Sequence, residues 1–184
     1  MQNILFFGDS LTAGYGLANA ATEAFPALIG EKMKAEGLAY QVINAGVSGD
    51  TTKGGLGRLD YWLSKPIDVF VLELGINDLR HGVPPQSITL NLQAIINKVK
   101  TKYPAAKMVL LGMEIPEFFG GPLAGAFNMI YPALAKANGM AFVPFLLKGV
   151  AGQKHLNLWD RLHPSAAGYK VVAETVWPVL KEVL

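Results

Sequence analysis

Apolar positions along this chain follow two alternating patterns. Short continuous runs occur at Ile4–Phe7, Tyr40–Asn44, Asp68–Leu74, Met108–Gly112 and Ala141–Pro144. Runs of this length without polar alternation predict strands buried on both faces. Between them, apolar residues recur at helical spacing. Phe25, Leu28, Ile29 and Met33 form one stripe, and Leu56, Leu59 and Leu63 another. Ile88, Leu92, Ile95, Ile96 and Val99 form the clearest, at spacings of three and four. A further helix is expected over about Gly125–Ala137, closed by Asn138-Gly139. The last is expected from Ser165, an N-cap after Pro164, to the C-terminus, with a kink or break at Pro178.

Strand and helix in alternation imply a parallel sheet with helices on both faces. The expected fold is α/β: a three-layer α/β/α sandwich around a five-stranded parallel sheet in the flavodoxin-like order 2-1-3-4-5. No repeat, linker or low-complexity segment interrupts the pattern, so residues 1–184 read as a single domain.

Composition narrows the function classes. At 51% hydrophobic and 16% charged, the chain is too apolar to be disordered. A net charge of +2 gives no footprint for nucleic acid. Without cysteine there is no disulfide, thiolate nucleophile or cysteine-based zinc site. No metal-ligand spacing is present, so no metal is expected. The longest uncharged run, Phe118 to Ala135, is broken by Gly120, Gly121, Pro122, Gly125 and Pro132. It reads as a glycine- and proline-rich loop entering a helix, not as an integral membrane segment.

The candidate chemistry lies in loops after the first three strands. These are Gly8-Asp9-Ser10-Leu11, then Asn44-Ala45-Gly46-Val47-Ser48-Gly49-Asp50, then Gly75-Ile76-Asn77-Asp78. In a parallel sheet all three leave the same edge, where open α/β folds place their ligands. A serine held there suits acyl transfer if a base lies within reach. Oxyanion donors are available in the N–H of Ser10, the N–H of Gly46 and the amide of Asn77. The base is sought among three histidines. His163 stands in Asp160-Arg161-Leu162-His163-Pro164, where the aspartate can hold one ring nitrogen and leave the other facing the serine. His81 and His155 have no comparable neighbours.

Each signal alone has an ordinary structural reading. A Gly-Asp-Ser-Leu turn is common, Gly46 and Gly49 could serve turns with positive φ, and an Asn-Asp pair often caps a helix. Their joint occurrence at one sheet edge favours the hydrolase reading. Other residues read structurally. Asp9 braces the serine turn, Asp50 and Asp78 cap loops or helices, and Gly54-Gly55-Leu56-Gly57 starts a helix. Glu73 lies in a strand as a candidate buried, paired carboxylate whose partner the sequence does not name.

The chain resembles the SGNH hydrolases, the GDSL-type esterase and lipase superfamily. Gly8-Asp9-Ser10-Leu11, Gly46, Gly75-x-Asn77-Asp78 and Asp160-x-x-His163-Pro164 are similar to its four sequence blocks, in order, over nearly the whole length. Asn44–Thr51, Val71–Gly75, Ile130-Tyr131-Pro132 and Val143-Pro144-Phe145 are similar to a bacterial subgroup of acyl-CoA thioesterases, arylesterases and lysophospholipases. That subgroup usually has a glycine where Ile76 stands, and differs around Leu79–Gly82 and Glu114–Gly121. The resemblance implies Ser10 as nucleophile, Asp160 and His163 as its partners, and Ser10, Gly46 and Asn77 as the oxyanion hole.

The expected activity is hydrolysis of carboxylic esters or thioesters through an acyl-enzyme, with no cofactor. Short to medium acyl or aryl esters, acyl-CoA and lysophospholipid-like molecules are the substrates the resemblance implies. Pro116, Phe118, Phe119 and Leu123 are the expected acyl contacts. Two alternatives stay open: a carbohydrate acetylesterase on the same site, and a non-catalytic flavodoxin-like binding module. The expected partner is a small-molecule substrate and the expected state a monomer. The compartment is open: periplasmic if a leader was removed, as in the resembled subgroup, and otherwise cytoplasmic.

Overall fold

A computed structural model describes residues 2–184, the side chains of residues 117–121 excepted. Five parallel strands form one sheet in the order β2-β1-β3-β4-β5. They are β1 (Gln2–Gly8), β2 (Tyr40–Gly46), β3 (Val69–Glu73), β4 (Lys107–Leu111) and β5 (Ala141–Val143). The apolar runs of β1, β3 and β4 are buried on both faces; Ile4, Leu5, Phe6 and Phe7 are at most 1% exposed. The edge strands differ from the expectation. β2 leaves Gln41 and Asn44 exposed, because only one long side of it is paired.

Short helices α1 (Ser10–Ala13) and α2 (Ala20–Glu23) precede α3 (Phe25–Ala35). Next come α4 (Thr52–Trp62), α5 (Ile76–Arg80) and α6 (Pro85–Lys102), then α7 (Glu117–Asn128), α8 (Ile130–Asn138) and α9 (Ala166–Lys181). Helices α3 and α9 pack together on one face of the sheet, and α4, α6 and α8 cover the other. The α6 stripe Ile88, Leu92, Ile95, Ile96 and Val99 is wholly buried, as its spacing requires. Thr51 caps α4 by accepting from Gly54 N–H at 3.1 Å, and Ser165 caps α9 by accepting from Gly168 N–H at 3.3 Å.

Two helical expectations change. Residues 117–128 form α7 ahead of α8, where a loop entering one helix was expected. Asn128 at the end of α7 clamps the N–H and C=O of Ile115, each at 2.8 Å, and so ties the start of this segment to its end. Helix α9 runs through Pro178 without the break that was one of the two outcomes expected there. The proline is exposed, so the carbonyl it leaves unpaired faces solvent. Among the described residues no helix is long and apolar enough to cross a membrane.

The strand register assembles the site. Gly8 at the end of β1 pairs with Gly46 at the end of β2 and with Glu73 at the end of β3. The loops that follow these three residues therefore leave the sheet side by side.

Candidate active site

The serine turn is built by close packing. A Cβ on Gly8 would lie 2.1 Å from Thr12 Oγ1 and 2.7 Å from the Glu73 carbonyl oxygen, so only glycine lets β1 end there. Asp9 then caps α1, its Oδ1 accepting from Leu11 N–H at 2.9 Å. Gly14, at φ +80, closes the helix after one turn. Ser10 is thereby fixed as the first residue of α1, 7% exposed at the floor of a cleft.

The far end of the chain brings His163 to it. Asn157 bridges to Pro164, Leu158 N–H donates to His163 O at 2.8 Å, and Arg161 adopts φ +59. The resulting tight loop carries Asp160 and His163. Asp160 Oδ1 accepts from Leu162 N–H at 2.9 Å and His163 N–H at 3.1 Å, which orients the carboxylate. Its Oδ2 accepts from His163 Nδ1–H at 2.6 Å, and His163 Nε2 accepts from Ser10 Oγ–H at 2.9 Å. A carboxylate can only accept, so this chain fixes the imidazole tautomer with its proton on Nδ1. Burial pushes the Asp160 carboxyl upward, but the donors from Leu162, the His163 ring and the His163 backbone outweigh it and hold it below the ordinary value.

The candidate oxyanion donors are engaged within the protein to different degrees. Gly46 gives its N–H to Asn44 Oδ1 at 2.9 Å. A Cβ there would lie 2.2 Å from Ala13 N, so this glycine serves the close approach of β2 to α1. Asn77 donates both amide hydrogens, to Asp9 Oδ2 at 3.0 Å and to Asp50 O at 2.9 Å. Donation from Asn77 to an oxyanion requires one of these bonds to be exchanged. Among the described residues, the N–H groups of Ser10 and Gly49 have no protein acceptor. Gly49, at φ +80, directly precedes Asp50, whose carbonyl Asn77 holds. What separates the two glycines of this loop is the bond from Gly46 N–H to Asn44 Oδ1.

The cleft has a volume of about 250 Å³. Ile76, Met113, Ile115, Phe145 and Leu147 give it apolar walls, with Arg80, Glu114 and Arg161 also lining it. Of the expected acyl contacts, Pro116 and Leu123 are exposed and do not line it. The clamp on Ile115 brings that residue to the cleft instead. The side chains of Phe118 and Phe119 lie outside those described. Phe145 follows β5 and Ile76 follows β3 at the same sheet edge, a position that marks them as wall residues. Sequence reading also missed Arg58, which supports the turn from below. It donates to Asp50 Oδ2 at 2.7 Å, Ala45 O at 2.8 Å and Gly8 O at 3.0 Å, and lies 4.0 Å over the Phe7 ring.

The same architecture and similar sequences occur in known proteins. An esterase TesA from Pseudomonas aeruginosa is 38% identical over 100% of this chain and 90% of its own length. The thioesterase 1/protease 1/lysophospholipase L1 of Escherichia coli is 34% identical over 94% of this chain and 80% of its own. A crystal structure of TesA superposes with a TM-score of 0.92 at 37% identity, covering 100% of both chains. The sequence profile of the GDSL-like Lipase/Acylhydrolase family matches residues 6–171. A match over that span, together with full-length relatives, means that the chain belongs to the GDSL-like lipase/acylhydrolase family.

Proposed function

We propose that this ester-hydrolysing enzyme works through Ser10 as nucleophile, His163 as base and Asp160 as the group that orients and stabilises the histidine. One observation carries the reading: an unbroken hydrogen-bonded path from Ser10 Oγ through His163 to Asp160 beside an apolar cleft. Ser10 Oγ attacks the acyl carbonyl while His163 Nε2 takes its proton. The oxyanion is met by the N–H groups of Ser10 and Gly49, joined by Asn77 when it releases the Asp50 carbonyl. Collapse expels the alcohol or thiol, which leaves with the proton from His163. Water then attacks the acyl-serine by the same route and releases the acid.

The substrates proposed are carboxylic esters and thioesters with short to medium acyl chains or aryl leaving groups. A cleft of about 250 Å³ with apolar walls fits an acyl chain of that size. The apolar walls favour an acyl chain, whereas an acetylated sugar would have to use Arg80, Glu114 and Arg161 as its polar partners. The test is a kinetic panel of p-nitrophenyl acetate and butyrate, an acyl-CoA and an acetylated sugar, with Ser10→Ala as blank. Turnover of the esters, abolished by Ser10→Ala in a folded protein, is expected. Retained activity in Ser10→Ala would remove Ser10 from the mechanism.

A further inference from the structure

Beneath the serine turn lie two carboxyl groups almost without access to water. Glu73, the last residue of β3, is 1% exposed, and Asp9, the cap of α1, is fully buried. Glu73 Oε2 accepts from Asp9 N–H at 3.1 Å and from Thr12 Oγ1–H at 2.9 Å. These donors flank Ser10, so one carboxyl oxygen holds the turn on both sides. The other, Oε1, is buried without a hydrogen-bond partner among the described residues.

Among the described residues no cation answers the pair. Arg58, on α4, gives its guanidinium to Asp50 and to two carbonyls. Tyr131 on α8 and Tyr169 on α9 face the pair, but donate their hydroxyls to Leu74 O and Leu11 O. Asp50 and Asp78 lie further out and add only negative charge. Asp9 accepts from Leu11 N–H and the Asn77 amide. Two adjacent ionised carboxylates, one with an unpartnered oxygen, cannot persist in such a place without compensation.

We propose that Glu73 is a positioning residue for the nucleophile, and that it acts through a single proton shared with Asp9. This rests on Ser10 being the nucleophile. Burial first, and then the charge of Glu73, push the Asp9 carboxyl well above its ordinary range. Burial also raises Glu73, against the donors from Thr12 and Asp9. The proton belongs to the pair and not to either member. It removes the mutual repulsion and leaves Oε2 free to hold the turn.

The test compares the wild type with Glu73→Gln and Glu73→Leu. In the infrared spectrum at neutral pH, the wild type shows the carbonyl stretch of a protonated carboxyl group. Glu73→Gln lacks it, because the amide N–H replaces the shared proton. Folding of the wild type takes up that proton, so the pair's contribution to stability is greatest in acid and falls as pH rises. Relative to Glu73→Gln, its folding constant drops about tenfold per pH unit above about pH 4, until the pair itself titrates. Glu73→Leu lowers kcat at least tenfold with KM little changed, whereas Glu73→Gln keeps most of the turnover. If Glu73→Leu does not fold, Thr12→Val, which deletes one of the two donors, shows the kcat loss at a few-fold. Absence of the band in the wild type, or parallel stability profiles, overturns the shared proton. Full kcat in folded Glu73→Leu, or in Thr12→Val where Glu73→Leu does not fold, overturns the positioning role. The spectroscopic and stability results do not depend on whether Ser10→Ala is inactive, so failure of the catalytic reading shows separately.

Discussion

The ring of Tyr15 lies 4.7 Å from the ring of His163, tilted by 48°. Tyr15 follows Gly14, which ends the serine helix, and is half exposed. It therefore screens the face of the imidazole that would otherwise meet solvent. In the proposed mechanism His163 takes the serine proton and becomes a cation beside an aromatic ring, an interaction worth about 0.5–1 kcal/mol at an exposed site. Tyr15→Leu is expected to lower kcat on p-nitrophenyl butyrate by roughly two- to fivefold, and Tyr15→Phe to leave it near the wild-type value. Equal losses in both variants would mean that the hydroxyl, not the ring face, matters.

The two glycines of the second loop should answer substitution differently. Gly46→Ala puts a methyl group 2.2 Å from Ala13 N, and backbone cannot yield as a side chain can. A loss of about 1–3 kcal/mol or more is expected, with activity falling because α1 carries Ser10. Gly49→Ala meets open space, so its cost is confined to φ +80, about 1–2 kcal/mol. Urea denaturation of both variants measures the difference.

What the sequence made legible follows from how far each signal reaches. Continuous apolar runs and the α6 stripe report burial directly, and they located the sheet and its layers. Asp160 and His163 were legible because they are three residues apart, so their geometry is local. Gly46 and Gly49 were not separable, since the choice depends on where the Asn44 side chain turns. The cleft walls were missed because Met113, Phe145 and Leu147 meet only through strand order and loop direction. Glu73 was visible as an oddity in an apolar strand, but its partner Asp9 lies 64 residues away and pairs with it only through the β1–β3 register.

Arg58 ties three segments of the site together. Its side chain is 22% exposed and that of its partner Asp50 9%, so the pair is mostly removed from water. Arg58→Met takes one donor each from Asp50 and two carbonyls and should destabilise the protein by roughly 2–3 kcal/mol. Arg58→Lys cannot reproduce the fork of donors and should recover only part of that. The check is the urea midpoint at constant slope.

Asn77→Ala removes donors from Asp9 and from the Asp50 carbonyl at once. If Asn77 also meets the oxyanion, kcat should fall by roughly 10²–10³. If it only braces the loops, folding stability falls by about 1–3 kcal/mol while kcat in the folded fraction is preserved. Steady-state kinetics at a temperature far below the unfolding transition separate the two.

In the proposed mechanism Asp160 links catalysis to acid stability. Its carboxyl is held below the ordinary value of 3.8, despite burial, by donors from Leu162 and His163. A carboxyl lowered in the folded state binds fewer protons there than in the unfolded chain. Its contribution to stability is therefore fully present above about pH 4 and is lost as pH falls through the folded-state value. Asp160→Asn should flatten the stability profile in that acid window and leave the profile above it parallel to the wild type. The amide cannot accept from Nδ1–H in the way the carboxylate does, so the imidazole loses its tautomer and the support for its positive charge. A fall in kcat of roughly 10³–10⁴ with KM little changed is expected. An effect on KM alone would assign Asp160 to shaping the cleft and would leave His163 without its partner in the mechanism.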